Sequence, residues 1–232
     1  MPFIFWDYTY VLIIIGALLS LAAQANVQMT YRRFAAQTSR SGARACDVAR
    51  SLLNQHQLSA IPIKEIPGSL TDNYNPADKT LHLSQTVMYD TSIASIGVAA
   101  HECGHALQDQ QAYFPLRLRA FMVPVTNFGS WLAWPLLLIG LFWNSQTGTL
   151  LLDLGIVLFS LTMIFALLTL PVEFNASRRA LKALREQQIL DEAELSGARQ
   201  VLFAAALTYV AAAAAAILSF LRILLLSRGR RR

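Results

Sequence analysis

Four stretches of this chain are too apolar and too long for the core of a soluble domain of this size. They run over 8–27, 121–143, 150–170 and 201–221, the last extendable to 226. Each reaches the roughly 20 helical residues that cross a bilayer. A backbone in hydrocarbon must satisfy its own hydrogen bonds, so such stretches are predicted to be helices. Pro124 and Pro135 fall inside the second stretch, where proline is tolerated at the cost of a kink. The alanine run from Ala211 to Ala216 gives the last stretch a surface suited to close packing on another helix. Tyr8, Tyr10, Trp131, Trp134 and Trp143 read as interfacial anchors.

Composition agrees with a membrane protein. The 232 residues are 55% hydrophobic and 14% charged, against about 25% charged in soluble domains. The net charge of +5 comes from cations beside the apolar runs, which fits orientation across a membrane better than nucleic-acid binding. No Gly-rich phosphate loop and no interleaving of aromatic with basic residues is present, so nucleic acid is not an expected partner. Cys46 and Cys103 make no disulfide framework and read as reduced and structural, as suits a cytosol-facing domain. The first apolar run lacks a basic lead-in and a small-residue cleavage site, so it reads as a retained anchor.

The predicted organisation is a first transmembrane helix in 1–27, a sizeable soluble region over 28–118 and a transmembrane hairpin over 119–170. A charged segment over 171–200 follows, then a last apolar helix with a basic tail over 201–232. Lys and Arg concentrate in the soluble region and between Arg178 and Arg199, while 144–149 has none. The positive-inside rule therefore predicts a multi-pass inner-membrane protein with 28–118 and 171–200 on the cytoplasmic side. Arg228, Arg230, Arg231 and Arg232 oppose this, because four full crossings carry them outside; either the other loops outvote them or the last apolar segment does not cross fully, and the orientation follows the majority of the charges.

Within the soluble region, Ala45, Val48, Ala49, Leu52 and Leu53 form one face of a helix over 41–57. Residues 61–66 look extended, and 70–74 with 80–84 read as a hairpin around Asn75-Pro76-Ala77-Asp78-Lys79. A second helix is expected over 92–108. The fold class is thus a mainly α membrane protein, with about four transmembrane helices and a small α+β domain between spans one and two.

That second helix carries His101-Glu102-Cys103-Gly104-His105. Residues four apart share a helix face, so both imidazoles can bind one metal ion while Glu102 reaches a water on it. The apolar flanks Ile96, Val98, Ala99, Ala100, Ala106 and Leu107 predict burial. Two buried histidines and a glutamate need partners, and a single zinc ion satisfies all three. A catalytic site takes three protein ligands. Glu173, just past the third apolar stretch, is the candidate for the third. Asp153 is the rival, about 30 Å away by helical rise. Ser177, four residues after Glu173, could bond a ligand histidine. Arg178 and Arg179 could stabilise an oxyanion or simply snorkel; Tyr74, Tyr89 and Tyr113 are other oxyanion donors. His56 and His82 read as unrelated.

The combination of Leu70-Thr71-Asp72-Asn73-Tyr74-Asn75-Pro76, Leu83-Ser84, Ser92-Ile93-Ala94, the segment from Val98 to Gln108 and the segment from Leu170 to Leu181 resembles the YugP-type, or neutral zinc, metallopeptidases over nearly the whole chain. The resemblance implies a cytosol-facing zincin-like domain with His101, His105 and a downstream glutamate, here Glu173, as ligands. It also implies hydrolysis of peptide bonds in membrane or membrane-proximal proteins. The family favours D-H-Y-D-P where this chain has Asp72-Asn73-Tyr74-Asn75-Pro76, and Asp where Asn175 stands, which bears on contacts around the site.

Two other functions fit less well. An intramembrane, site-2-type protease would need the 92–108 helix to span and Asp153 to ligate. A non-catalytic scaffold with structural zinc would need a fourth protein ligand, and Cys103 has the wrong helical phase. Partners expected for the leading reading are the bilayer and a protein or peptide substrate. The alanine-rich last span could pack within one chain or between copies, which leaves an oligomer open.

Overall fold

The apolar runs become long helices in a computed structural model that describes residues 7–230. Arg231 and Arg232 of the basic tail lie outside the described residues. Four helices are long and apolar enough to cross a membrane: α1 (Tyr10–Ala35), α5 (Phe114–Phe142), α6 (Gln146–Glu186) and α7, which begins at Glu192 and continues to Arg230. Between α1 and α5 come α2 (Ala45–Gln55), β1 (Ile63–Ile66), β2 (Asn73–Asn75), β3 (Thr80–Ser84), α3 (Gln85–Met88) and α4 (Ile93–Gln110). The protein is mostly helical, with one small sheet.

The chain divides into two units. One gathers the described residues of Met1–Gln24, Arg117–Leu170 and Thr208–Arg232. Ala133, Leu137, Leu152, Phe159 and Ile223 are its buried contacts. Its outer surface carries Phe121, Phe128, Trp131 and Leu150, a pattern that suits lipid tails and is unsuited to water. The alanine run packs closely, as expected. A Cβ on Gly16 of α1 would lie 3.1 Å from the Cα of Ala215 in α7, so the backbones touch where neither side chain intervenes.

The other unit comprises Ala25–Leu116 and Pro171–Leu207. Its core joins Val48, Leu52 and Leu53 of α2, Leu81 and Leu83 of β3, and Ile96, Ala99, Ala100 and Cys103 of α4. Ala180, Leu184, Leu195 and Ala198 from the ends of α6 and α7 complete it. The sheet order is β1-β3-β2, with β1 parallel and β2 antiparallel to β3. The expected hairpin is present but its first strand is short. Leu70 adopts a φ of 56°, a left-handed conformation that breaks extension before Asn73. Asp72 then ties β2 to the end of β3 by accepting from the Ser84 amide at 2.7 Å and its hydroxyl at 3.0 Å. Burial raises the Asp72 carboxyl above its ordinary range despite those bonds.

The helix of the third apolar stretch does not stop at Pro171. α6 runs through it to Glu186. Proline removes one backbone donor from the ladder, a loss a long helix can absorb. The helical register therefore carries on into the charged segment, and Glu173, Ser177 and Ala180 follow one another along one buried face.

A candidate metal centre

The motif helix α4 has an unusually well-tied start. Ser92 caps it by accepting from the Ser95 amide at 3.2 Å. Asp90 accepts from the hydroxyls of both Ser92 and Ser95, at 2.5 and 2.6 Å. Glu102, Cys103, His105 and Gln108 are all buried along this helix. Cys103 faces away from the histidines and donates weakly to the Ala49 carbonyl at 3.6 Å. Burial, helped by Glu102, pushes its thiol pKa well up, which leaves it inert as a nucleophile.

His101 and His105 stand one turn apart with ring centroids 4.8 Å from each other. Their Nε2 atoms converge on the same Glu173 oxygen, Oε2, at 3.3 Å and 3.6 Å. The ligand atoms of all three lie within 4.8 Å of one another. Among the described residues this is the group of His, Cys, Asp and Glu able to hold a metal ion, and Asp153 has no part in it. Glu173 is only 2% exposed.

The donor set fits zinc: two imidazole nitrogens and one carboxylate oxygen. The hydrogen bonds behind the rings strengthen the fit. The Gln108 amide nitrogen donates to the Val172 carbonyl at 2.8 Å and to Asn175 Oδ1 at 3.0 Å. Its oxygen is thereby turned to accept from His105 Nδ1 at 3.0 Å. Ser177 Oγ stands 3.2 Å from His101 Nδ1. With both Nδ1 atoms engaged, both Nε2 lone pairs point at the place where Glu173 offers its oxygen.

Glu102 lies beside this triad, and its Oε2 accepts from the backbone amide of Tyr74 at 2.8 Å. Burial raises its carboxyl pKa, while the charges of His101 and His105 pull the other way. The Tyr74 ring extends the same tie. Its hydroxyl donates to Asp109 Oδ2 at 2.7 Å, and Lys79 also pairs with Asp109. Burial and Asp109 both raise the Tyr74 pKa, so the phenol stays a donor. β2 is thus fastened to α4 at two points seven residues apart, on one helix face.

The other expected residues separate. Ser177 reaches a histidine ring. Asn175 does not; it accepts from Gln108 and from Arg179 Nε, the latter at 2.6 Å. Arg179 also donates to Gln111 at 2.6 Å and lies over the Tyr113 ring. Arg178 makes no contact with the triad and lines a groove between α6 and α7. Tyr74 serves through its backbone amide, and its hydroxyl is committed to Asp109. Tyr89 lies under Arg44, outside the site. His56 contributes a carbonyl to Gln110, and His82 bonds Asn73. Gln108 escaped the sequence reading. The signal available in the sequence is its spacing, three residues after His105 and so on the same helix face; its complete burial appears only in the fold.

Residues 9–228 match the protein family described as "Putative neutral zinc metallopeptidase". The chain is 41% identical over 219 residues, 94% of its own length and 96% of the relative's, to the "Putative membrane protease YugP" of Bacillus subtilis (strain 168). No solved structure matches it significantly. Four membrane-length apolar helices and a membrane-protease relative make it a multi-pass membrane protein. This chain belongs to the neutral zinc metallopeptidase family.

Proposed function

We propose that the protein is a membrane-bound zinc endopeptidase that hydrolyses peptide bonds in membrane or membrane-proximal proteins. A zincin-like domain over 28–118, between the first and second spans, supplies His101, His105 and Glu102, and the 171–200 segment supplies Glu173. The 119–170 hairpin and the last apolar helix, with its basic tail, over 201–232 anchor it. The charge distribution supports a cytoplasmic catalytic side. The observation that carries the reading is the convergence of both histidine Nε2 atoms on Glu173, with the Glu102 carboxylate alongside.

His101, His105 and Glu173 would hold a single zinc ion, which when bound would supply Lewis acidity toward water and a peptide carbonyl. Ser177 and Gln108 keep the two rings turned toward it. Glu102 is the general base. Tyr74 fixes its Oε2, leaving Oε1 to take a proton from water and return it to the departing amine. Burial makes this carboxylate a stronger base than a solvated one.

The test is the Glu102→Gln variant of the full-length protein, purified in detergent. Zinc should remain near one ion per chain, while hydrolysis of casein or of a membrane-anchored peptide falls about 10²–10⁴-fold. Full activity in the variant removes Glu102 from the mechanism. Zinc without turnover by the unmodified protein on either substrate points to a structural ion.

A further inference from the structure

A groove of about 500 Å³ lies between the charged ends of α6 and α7. Its two walls match each other. On α6, Phe174 is followed one turn later by Arg178; on α7, Phe203 is preceded one turn earlier by Arg199. Phe174 is 37% exposed and Phe203 57%. Both phenylalanines stand at the end of the groove nearest the apolar runs of their helices, with Ala206 beside them. Both arginines stand about 6 Å further along.

The charges in the groove are unequally committed. Lys182 pairs with Glu186 at 3.7 Å, and Arg185 with Glu192 at 3.1 Å. Among the described residues, the side chains of Arg178 and Arg199 have no ion pair and no hydrogen bond. Two free guanidinium groups therefore flank one cavity, each above an exposed aromatic ring. A solvated charged face needs no such rings, and a site for free phosphate has no use for them. An amphiphile with a phosphate head and an apolar tail uses both.

We infer that this groove binds one anionic phospholipid of the surrounding bilayer. Its phosphate sits between Arg178 and Arg199, where the planar guanidinium forks suit phosphate oxygens. Its acyl chains lie against Phe174, Phe203 and Ala206. The level is right for a headgroup: Arg178 follows Leu170, the last residue of the third apolar stretch, by about 12 Å of helix, and its side chain can reach back toward the interface. The groove adjoins the metal centre through Ser177, which lines it and also holds the His101 ring.

The experiment is native mass spectrometry of the full-length protein in detergent, titrated with phosphatidylglycerol, phosphatidylcholine or inorganic phosphate. One phosphatidylglycerol should bind saturably and at least about tenfold more tightly than phosphatidylcholine, given roughly 1 kcal/mol for each basic residue at a membrane surface. The double variant Arg178→Gln/Arg199→Gln should weaken it about 30-fold on the same scale. Arg199→Gln alone, on an exposed helix face, should weaken it severalfold and covers a folding failure of the double. A charge-matched control, Arg44→Gln/Lys64→Gln, should bind as the unmodified protein does. Equal loss in the control, equal binding of both lipids, or competition by millimolar inorganic phosphate overturns the inference. Zinc content, measured on the same samples, reports separately on the peptidase reading.

Discussion

Gly104 presses against Ala176 so closely that a Cβ on the glycine would stand 2.5 Å from the Ala176 carbonyl oxygen. The obstacle is backbone, which cannot swing aside as a side chain can. This contact sits inside the metal motif and between Glu173 and Ser177 on the facing helix. It sets how near α6 comes to α4, and with that the reach of Glu173 to both imidazoles. Gly104→Ala should therefore separate the helices. The expected cost is about 1–3 kcal/mol of stability, typical of overpacking, with zinc occupancy falling as well. Thermal unfolding in detergent and metal analysis check this; a variant that keeps its zinc and its Tm would show that the close approach is dispensable.

Gln108 offers a test of the metal centre that leaves all three ligands in place. Its oxygen holds His105 Nδ1, and its nitrogen is spent on Val172 and Asn175. Gln108→Leu keeps the approximate volume and removes the orienting bond. Zinc affinity should drop about 10–100-fold, as for other residues that orient metal-bound histidines. Gln110→Leu, two residues on, where the side-chain amide donates to the His56 carbonyl and away from the triad, should leave affinity unchanged. A chelator competition titration reads both, and identical affinities would discard the orienting role.

The two halves of the site differ in how well the sequence announces them. His101, Glu102 and His105 lie within one turn of one helix, so their shared face follows from spacing alone. Ser177 could be placed because it lies four residues from Glu173. Nothing local reveals which atom of Tyr74 matters, because its amide meets Glu102 only once β2 lies across α4. Asn175 stands out in the sequence only as a departure from the family's Asp beside the third ligand, which does not say what it touches. Its actual partners, Gln108 and Arg179, come from another helix and from the next turn. The sequence from Pro171 to Arg179 reads as helical, but that one helix passes unbroken through Pro171 is hidden for a related reason. Proline weakens a helix locally, and packing of Val172, Ala176 and Ala180 into the core decides the outcome.

Asp90 links the start of the motif helix to pH. Burial acts against its charge, but the Ser92 and Ser95 hydroxyls and the amides of Thr91 and Ser92 together outweigh burial and hold its pKa below the ordinary 3.8. A carboxylate with a lowered folded pKa adds stability that is fully present above its unfolded pKa. That stability disappears as pH falls through the folded value. Asp90→Asn should lower stability by about 1–2 kcal/mol at pH 7, from weakened charge-assisted bonds. The difference in Tm between variant and unmodified protein should shrink below about pH 4. A difference that stays constant from pH 7 down to acid would remove Asp90 as the titrating cap.

The third ligand decides between two arrangements of the whole chain. Glu173 joins the histidines in one cluster, whereas Asp153, also on α6, does not. Removing a coordinating carboxylate from a three-ligand site leaves only the two imidazoles, too few for a stable zinc site. Glu173→Ala should therefore lose most of its zinc after dialysis against a weak chelator, while Asp153→Ala keeps it. Glu173→Asp provides a control for unfolding, since it retains the charge and shortens the reach by one methylene. It should bind zinc more weakly than the unmodified protein and more tightly than the alanine variant. Metal analysis of the four proteins from one preparation gives the ranking. If Asp153→Ala loses zinc and Glu173→Ala does not, the ligand comes from the apolar part of α6 and the centre lies within the membrane.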